Sequence, residues 1–163
     1  MATVFLSIGS NIDKEKNIEA GIEALKQKFG DVICSATYES ESVGFDGDNF
    51  YNLVARIETD ESVDAVVAML KQIEDEHGRT RSGPRFSSRT LDIDILLYDD
   101  MIRDDEVVSV PRDEIITNAF VLRPLAELAG DKCHPQVGDS YKTLWEKFDN
   151  STQPLWPIIN KNQ

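Results

Sequence analysis

Two carboxylates one residue apart, Asp92 and Asp94, follow directly on four guanidinium groups, Arg79, Arg81, Arg85 and Arg89. In an extended strand alternate side chains share a face, so both acids project together while Leu91, Ile93, Ile95 and Leu97 point into the core. Carboxylate oxygens are the hard ligands that Mg²⁺ prefers, and Mg²⁺ takes one or two of them, completing its octahedron with water and substrate phosphates. Arginine forks grip phosphate oxygens and keep their charge at any working pH. Acids for a metal and arginines for phosphates are the requirements of phosphoryl-type transfer, where catalysis is mostly positioning and charge stabilisation. Asp-x-Asp by itself is a weak pattern that also describes a solvated strand edge. Four arginines within eleven residues, in a chain of net charge −13, turn the reading toward a polyphosphate ligand.

The rest of the composition narrows the class. A chain of 163 residues, 40% hydrophobic and 29% charged, fits one globular domain spanning 1–163 with a real core. The overall acidity argues against a nucleic-acid binder, which needs a broad basic face. Met1 leads straight into strand-like Thr3-Val-Phe-Leu-Ser-Ile8, without the basic and apolar regions of a signal peptide, and no apolar run is long enough to span a membrane. Cys34 and Cys133 are too few for a disulfide framework and lack zinc spacing, which suits a reducing cytoplasm. Cys133-His134 lacks the further soft ligands a metal pair needs. The small-molecule character of the expected ligands implies no nucleic-acid or membrane partner, and a monomer is expected.

The elements that must position the acids follow from periodicity. Val4, Leu6 and Ile8 alternate in a first strand that ends at Gly9-Ser10-Asn11. Ile18, Ile22, Leu25 and Phe29 form one helical face, and Gly30 stops it. Val32 to Ser40 and Phe50 to Thr59 read as the second and third strands, separated by a Gly/Asp-rich segment too long for a tight hairpin. Ser62 caps a second helix bearing Val63, Val66, Val67, Leu70 and Ile73, closing at His77-Gly78. Thr90 to Tyr98 is the fourth strand, and Val107 to Val110 a short edge strand ended by Pro111. Pro124 predicts the first turn of a short helix through Leu128. A last helix starts at Asp139 or Ser140 and runs through Phe148, before an irregular tail. The order predicts an α+β, ferredoxin-like split βαβ fold: a mainly antiparallel sheet with helices on one face and extra C-terminal helices. Right-handed crossovers place its two central strands beside each other.

Leu6-Ser-Ile-Gly-Ser-Asn11, Phe50-Tyr-Asn52, Gly78-Arg-x-Arg81, Arg89-Thr-Leu-Asp-Ile-Asp-Ile95, Val110-Pro111 and Phe120-Val-Leu-x-Pro-Leu125, in that order, resemble the 6-hydroxymethyl-7,8-dihydropterin pyrophosphokinase family along nearly the full chain. The resemblance implies transfer of pyrophosphate from ATP to the pterin's hydroxymethyl oxygen, with release of AMP, in folate biosynthesis. It implies that Asp92 and Asp94 hold two Mg²⁺ ions, and that Arg79 and Arg89 stabilise the reacting phosphates. It nominates Glu74, Arg81, Arg85, Ile95, Ser109 and Arg112 for ATP, and Ser40, Val43, Gly44, Asn52, Phe86 and Phe120 for the pterin. Each has a plainer alternative: Phe120 as ordinary core, Asn52 as a turn residue, Glu74 as a charge on a solvated helix face.

Departures from the family pattern concern the nucleotide. Arg112 stands where the family has histidine, and Asn118 where it has arginine. Phe86 replaces a loop tryptophan, and Ser87-Ser88 a Gly-Pro. Losing one charged phosphate contact costs about 1–3 kcal/mol, which Arg112 can offset. Two other readings use the same residues: a paralogue that binds pterin or nucleotide as a regulator without efficient transfer, and another Mg²⁺-dependent nucleotide transferase.

Overall fold

A computed structural model of the chain describes residues 1–41, 49–78 and 91–158. Arg79, Arg81, Arg85, Phe86, Arg89, Val43 and Gly44 lie outside the described residues.

The chain runs β1 (Ala2–Ser10), α1 (Lys14–Phe29), β2 (Val32–Cys34), β3 (Tyr38–Ser40), β4 (Phe50–Thr59), α2 (Val63–Glu76), β5 (Asp92–Tyr98) and β6 (Arg103–Asp104). It continues through β7 (Ser109–Val110), α3 (Glu114–Thr117), α4 (Ala119–Ala129), α5 (Tyr141–Lys147) and β8 (Leu155–Pro157). Among the described residues, one sheet has the order β5-β1-β4-β3-β8, with β2 also paired to β4, and every pairing in it is antiparallel. The split βαβ order is therefore present, with β1 and β4 side by side at the centre.

The crossover helices form for the reasons the sequence suggested. Ile18 and Leu25 of α1 are buried, and Gly30 ends the helix at φ 86°, where a side chain would be strained. Ser62 caps α2, its side chain accepting from the Ala65 N–H. Both helices cover one sheet face, where Val4, Leu6, Ile8, Leu53, Ala55, Ile57, Ile93 and Ile95 meet Leu25, Val66, Leu70 and Ile73. The C-terminal helices cover the other face: Ile115, Val121, Leu122, Leu125 and Tyr141 pack on Phe5, Val54, Leu96 and Leu97.

Several local expectations are corrected. Val32 to Ser40 is two strands, because the Ser35 hydroxyl accepts the Val54 N–H and the Ala36 N–H turns away to Glu127 Oε2, interrupting the ladder. Leu97 does not share a face with Ile95: the β1 pairing shifts between Phe5 and Leu6, and this bulge sends Leu96 and Leu97 together to the second core. Val107 to Val110 is not a sheet edge, since β7 pairs with β6 in a separate ribbon. Pro124 sits inside α4 rather than in its first turn, so the Phe120 carbonyl four residues back receives no helical N–H from it. The tail is not wholly irregular either; β8 adds to β3, with Leu155 opposite Ser40.

With Leu122 only 1% exposed between α4 and the sheet, Leu122→Ala should cost about 2–5 kcal/mol of unfolding free energy in denaturant titrations. A loss below about 1 kcal/mol would mean that α4 is not a structural layer of the domain.

Candidate active site

The acids owe their placement to strand register. Asp92 lies opposite Gly9 of β1, and Asp94 opposite Ser7. Gly9 in turn lies opposite Asn52 of β4, and Asn52 opposite Tyr38 of β3. Tyr38, Asn52, Gly9 and Asp92 thus form one row across four strands, and directly opposed residues share a face. Two strand spacings separate Asn52 from Asp92, about 10 Å. The row depends on glycine: a Cβ at position 9 would come within 2.6 Å of Asn52 Oδ1. Asn52 is buried within β4, so it is not a turn residue.

Of the other residues nominated for the pterin, Ser40 and Phe120 are among the described residues. Ser40 is buried at the end of β3, opposite Phe50. Phe120 opens α4 and is partly buried against the second-face core, so its ring has a packing role as well as an accessible part. Tyr38 closes the row from below: its hydroxyl donates to Glu127 Oε1 at 2.7 Å, and the Arg123 guanidinium lies 4.8 Å from the ring centre. Burial, reinforced by Glu127, pushes the Tyr38 phenol up to about 12.

On the outer side of β5 a cavity of about 240 Å³ collects Glu74, Asp94, Ile95, Ser109 and Arg112, every described residue nominated for ATP together with one of the acids. Lys71 and Asp105 add charge to its wall. Glu74 is not on a solvated helix face: it is 5% exposed, and its Oε2 accepts the Ile93 N–H at 2.9 Å, between the two acids. Arg112 Nη2 lies 3.8 Å from Asp94 Oδ2 and 2.9 Å from Glu114 Oε1, which Nε also reaches at 3.0 Å. Asn118 lies outside this cavity lining, at the start of α4, where its carbonyl accepts from Leu122.

Burial, and after it the charge of Asp92, holds the Asp94 carboxyl well above the ordinary carboxylate range, with Arg112 pulling the other way. Among the described residues no three His, Cys, Asp or Glu side chains converge as a metal cage. Two oxygen-only carboxylates on one strand face, Asp94 at the cavity wall and Asp92 repelling it from two residues away, fit a hard divalent ion that draws its remaining ligands from water and phosphate. The roles of Gly9, Glu114 and Lys71 were not read from the sequence. Gly9 alone left a signal, since a glycine inside a strand pattern marks close approach of another group.

A sequence model described as 7,8-dihydro-6-hydroxymethylpterin-pyrophosphokinase matches residues 5–130. The chain is 34% identical, over 98% of its length and 99% of the relative's, to the 2-amino-4-hydroxy-6-hydroxymethyldihydropteridine pyrophosphokinase of Aquifex aeolicus. It is also 34% identical to the folic acid synthesis protein fol1 of Pneumocystis carinii, covering 98% of this chain but only 22% of that protein. The solved Plasmodium falciparum HPPK-DHPS with pterin and p-hydroxybenzoate superposes with a TM-score of 0.71 at 15% identity, over 90% of this chain and 43% of that one; at that identity the likeness speaks for the fold.

Replacing Asp94 by asparagine removes the cost of burying a carboxylate and, after it, the repulsion from Asp92, so Asp94→Asn should raise the melting temperature by a few degrees at neutral pH in chelator. The sign follows from linkage. Folding raises this carboxyl above its unfolded value, so stability falls as pH climbs from about 4 through the raised value, and the variant's advantage should vanish near pH 4. A melting temperature lowered by Asp94→Asn at pH 7 would contradict this cost of burial and repulsion.

Proposed function

The chain belongs to the 7,8-dihydro-6-hydroxymethylpterin-pyrophosphokinase family, and on that footing we propose that it transfers pyrophosphate from ATP to 6-hydroxymethyl-7,8-dihydropterin, releasing AMP, in folate biosynthesis. The observation that carries the reading is the position of β5: Asp92 stands in register with Asn52 through Gly9, and Asp94, two residues on, borders the Arg112 cavity. One strand thereby adjoins an amide suited to a heterocycle edge and a charged cavity suited to a nucleotide.

Asn52 pairs with the donor and acceptor edge of the pterin, Phe120 and Phe86 stack on its rings, and Ser40, Val43 and Gly44 line the same pocket. Glu74, Arg81, Arg85, Ile95, Ser109 and Arg112 bind ATP. Asp92 and Asp94 hold two Mg²⁺ ions, which when bound neutralise the triphosphate and help align it with the hydroxyl. Arg79 and Arg89 stabilise charge on the transferred group, the task of preorganised cations in a loose transition state. Glu74 acts also from behind: by accepting the Ile93 N–H it fixes the strand between the two acids. Ser7, small and opposite Asp94, leaves that carboxylate room beside its neighbour. We place the enzyme in the cytoplasm as a monomer with residues 1–163 as one domain; free Cys34 and Cys133 suit that compartment, and no described helix is long and apolar enough to cross a membrane.

The direct test is AMP formation from MgATP with and without the dihydropterin. Pterin-dependent AMP is expected from the wild type, while Asp92→Ala or Asp94→Ala should abolish both turnover and metal-dependent nucleotide binding; pterin binding without AMP would favour the regulatory paralogue. Gly9→Ala pushes on Asn52 and should raise the KM for the dihydropterin about tenfold, with the KM for ATP nearly unchanged. Equal rises in both would show that Gly9 serves the fold and not the pterin pocket.

A further inference from the structure

Arg112 occupies a position between two kinds of anion. Its backbone is fixed on β5, the N–H donating to the Leu96 carbonyl at 3.0 Å. Its guanidinium donates a hydrogen bond to Glu114 Oε1 through Nε and lies in close ion-pair contact with the same oxygen through Nη2, whereas its distance to Asp94, 3.8 Å, is too long for a hydrogen bond and leaves a Coulomb attraction only. The same side chain borders the cavity that Glu74, Ile95 and Ser109 line. The tight contact is thus with Glu114, and the contact with Asp94 is one that yields at little cost.

We propose that Arg112 is the exchangeable counter-ion of Asp94, restrained by the positioning residue Glu114, and that it transfers its charge to the nucleotide phosphates as a divalent cation takes its place beside the carboxylate. The proposal rests on the reading above, in which Asp92 and Asp94 hold the metal and the cavity takes ATP. Two cations close to one carboxylate repel each other, so Arg112 opposes metal binding to the nucleotide-free protein. A phosphate that engages Arg112 removes part of that opposition. Metal and nucleotide therefore favour each other's binding, and the favour is reciprocal because it is a single coupling free energy. Glu114 sets its size: it offsets part of the guanidinium charge and holds it at ion-pair range from Asp94.

The test is a titration of the nucleotide-free protein with Mn²⁺, following free Mn²⁺ by electron paramagnetic resonance. Arg112→Gln should bind Mn²⁺ roughly tenfold more tightly than the wild type, and bind ATP more weakly. Arg112→Lys keeps the charge and should stay within about twofold of the wild type. Glu114→Gln should shift Mn²⁺ affinity the opposite way, several-fold weaker, a reversal that simple loss of structure in either variant would not produce. If Asp94→Ala leaves Mn²⁺ affinity unchanged, the metal assignment fails and this proposal with it. If Asp94→Ala abolishes Mn²⁺ binding while Arg112→Gln fails to tighten it, the exchange alone is wrong and the metal assignment stands.

Discussion

Everything at this site depends on the antiparallel register of β1 between β4 and β5. That pairing sets Gly9 opposite Asn52 on one side and opposite Asp92 on the other. A slip of one residue would turn the acids into the first core and send Ile93 and Ile95 toward the second face. The register is enforced from both faces of the sheet: Leu6, Ile8 and Ile95 are locked beneath α1 and α2, and Phe5, Leu96 and Leu97 beneath α4 and α5. The bulge in the β1–β5 pairing lets the same strand serve both cores while keeping its acidic end straight.

Charge is managed by distribution. Asp92, Asp94 and the buried Glu74 crowd one end of β5 in a chain of net charge −13, an arrangement that disfavours the compact state unless each carboxylate has work. Glu74 accepts a backbone N–H, that of Ile93. Asp94 keeps a half-buried position with Arg112 at ion-pair distance. The two packed cores offset the stability given up at this cluster.

Much of this was legible in the chain. The βαββαβ order, the limits of β4, the Ser62 cap and the shared face of Asp92 and Asp94 follow from period, capping chemistry and strand alternation, all of which are local. What escaped was set by contacts distant in sequence. Pro124 sits mid-helix because burial of Val121, Leu122 and Leu125 against Phe5 and Val54 outweighs the lost hydrogen bond. The break after Cys34 comes from Glu127, some ninety residues away, drawing off the Ala36 N–H. Glu74 was singled out by the family resemblance alone, and only the packing of α2 on β5 shows its carboxylate holding the Ile93 N–H between the two acids. Gly9 could be suspected of a close neighbour, but Asn52 could not be named as that neighbour before the register was known.

The outer edge of β5 has one more consequence. An edge strand with open N–H and C=O groups is a template on which a second chain can build. Here the Ile93 N–H is taken by a glutamate side chain and the Leu96 carbonyl by the backbone of Arg112, so the edge is capped by groups that offer no continuing ladder. The contacts that shape the Arg112 cavity therefore also guard the protein against sheet-to-sheet aggregation, so the geometry of the cavity and the colloidal behaviour of the chain are set by the same groups.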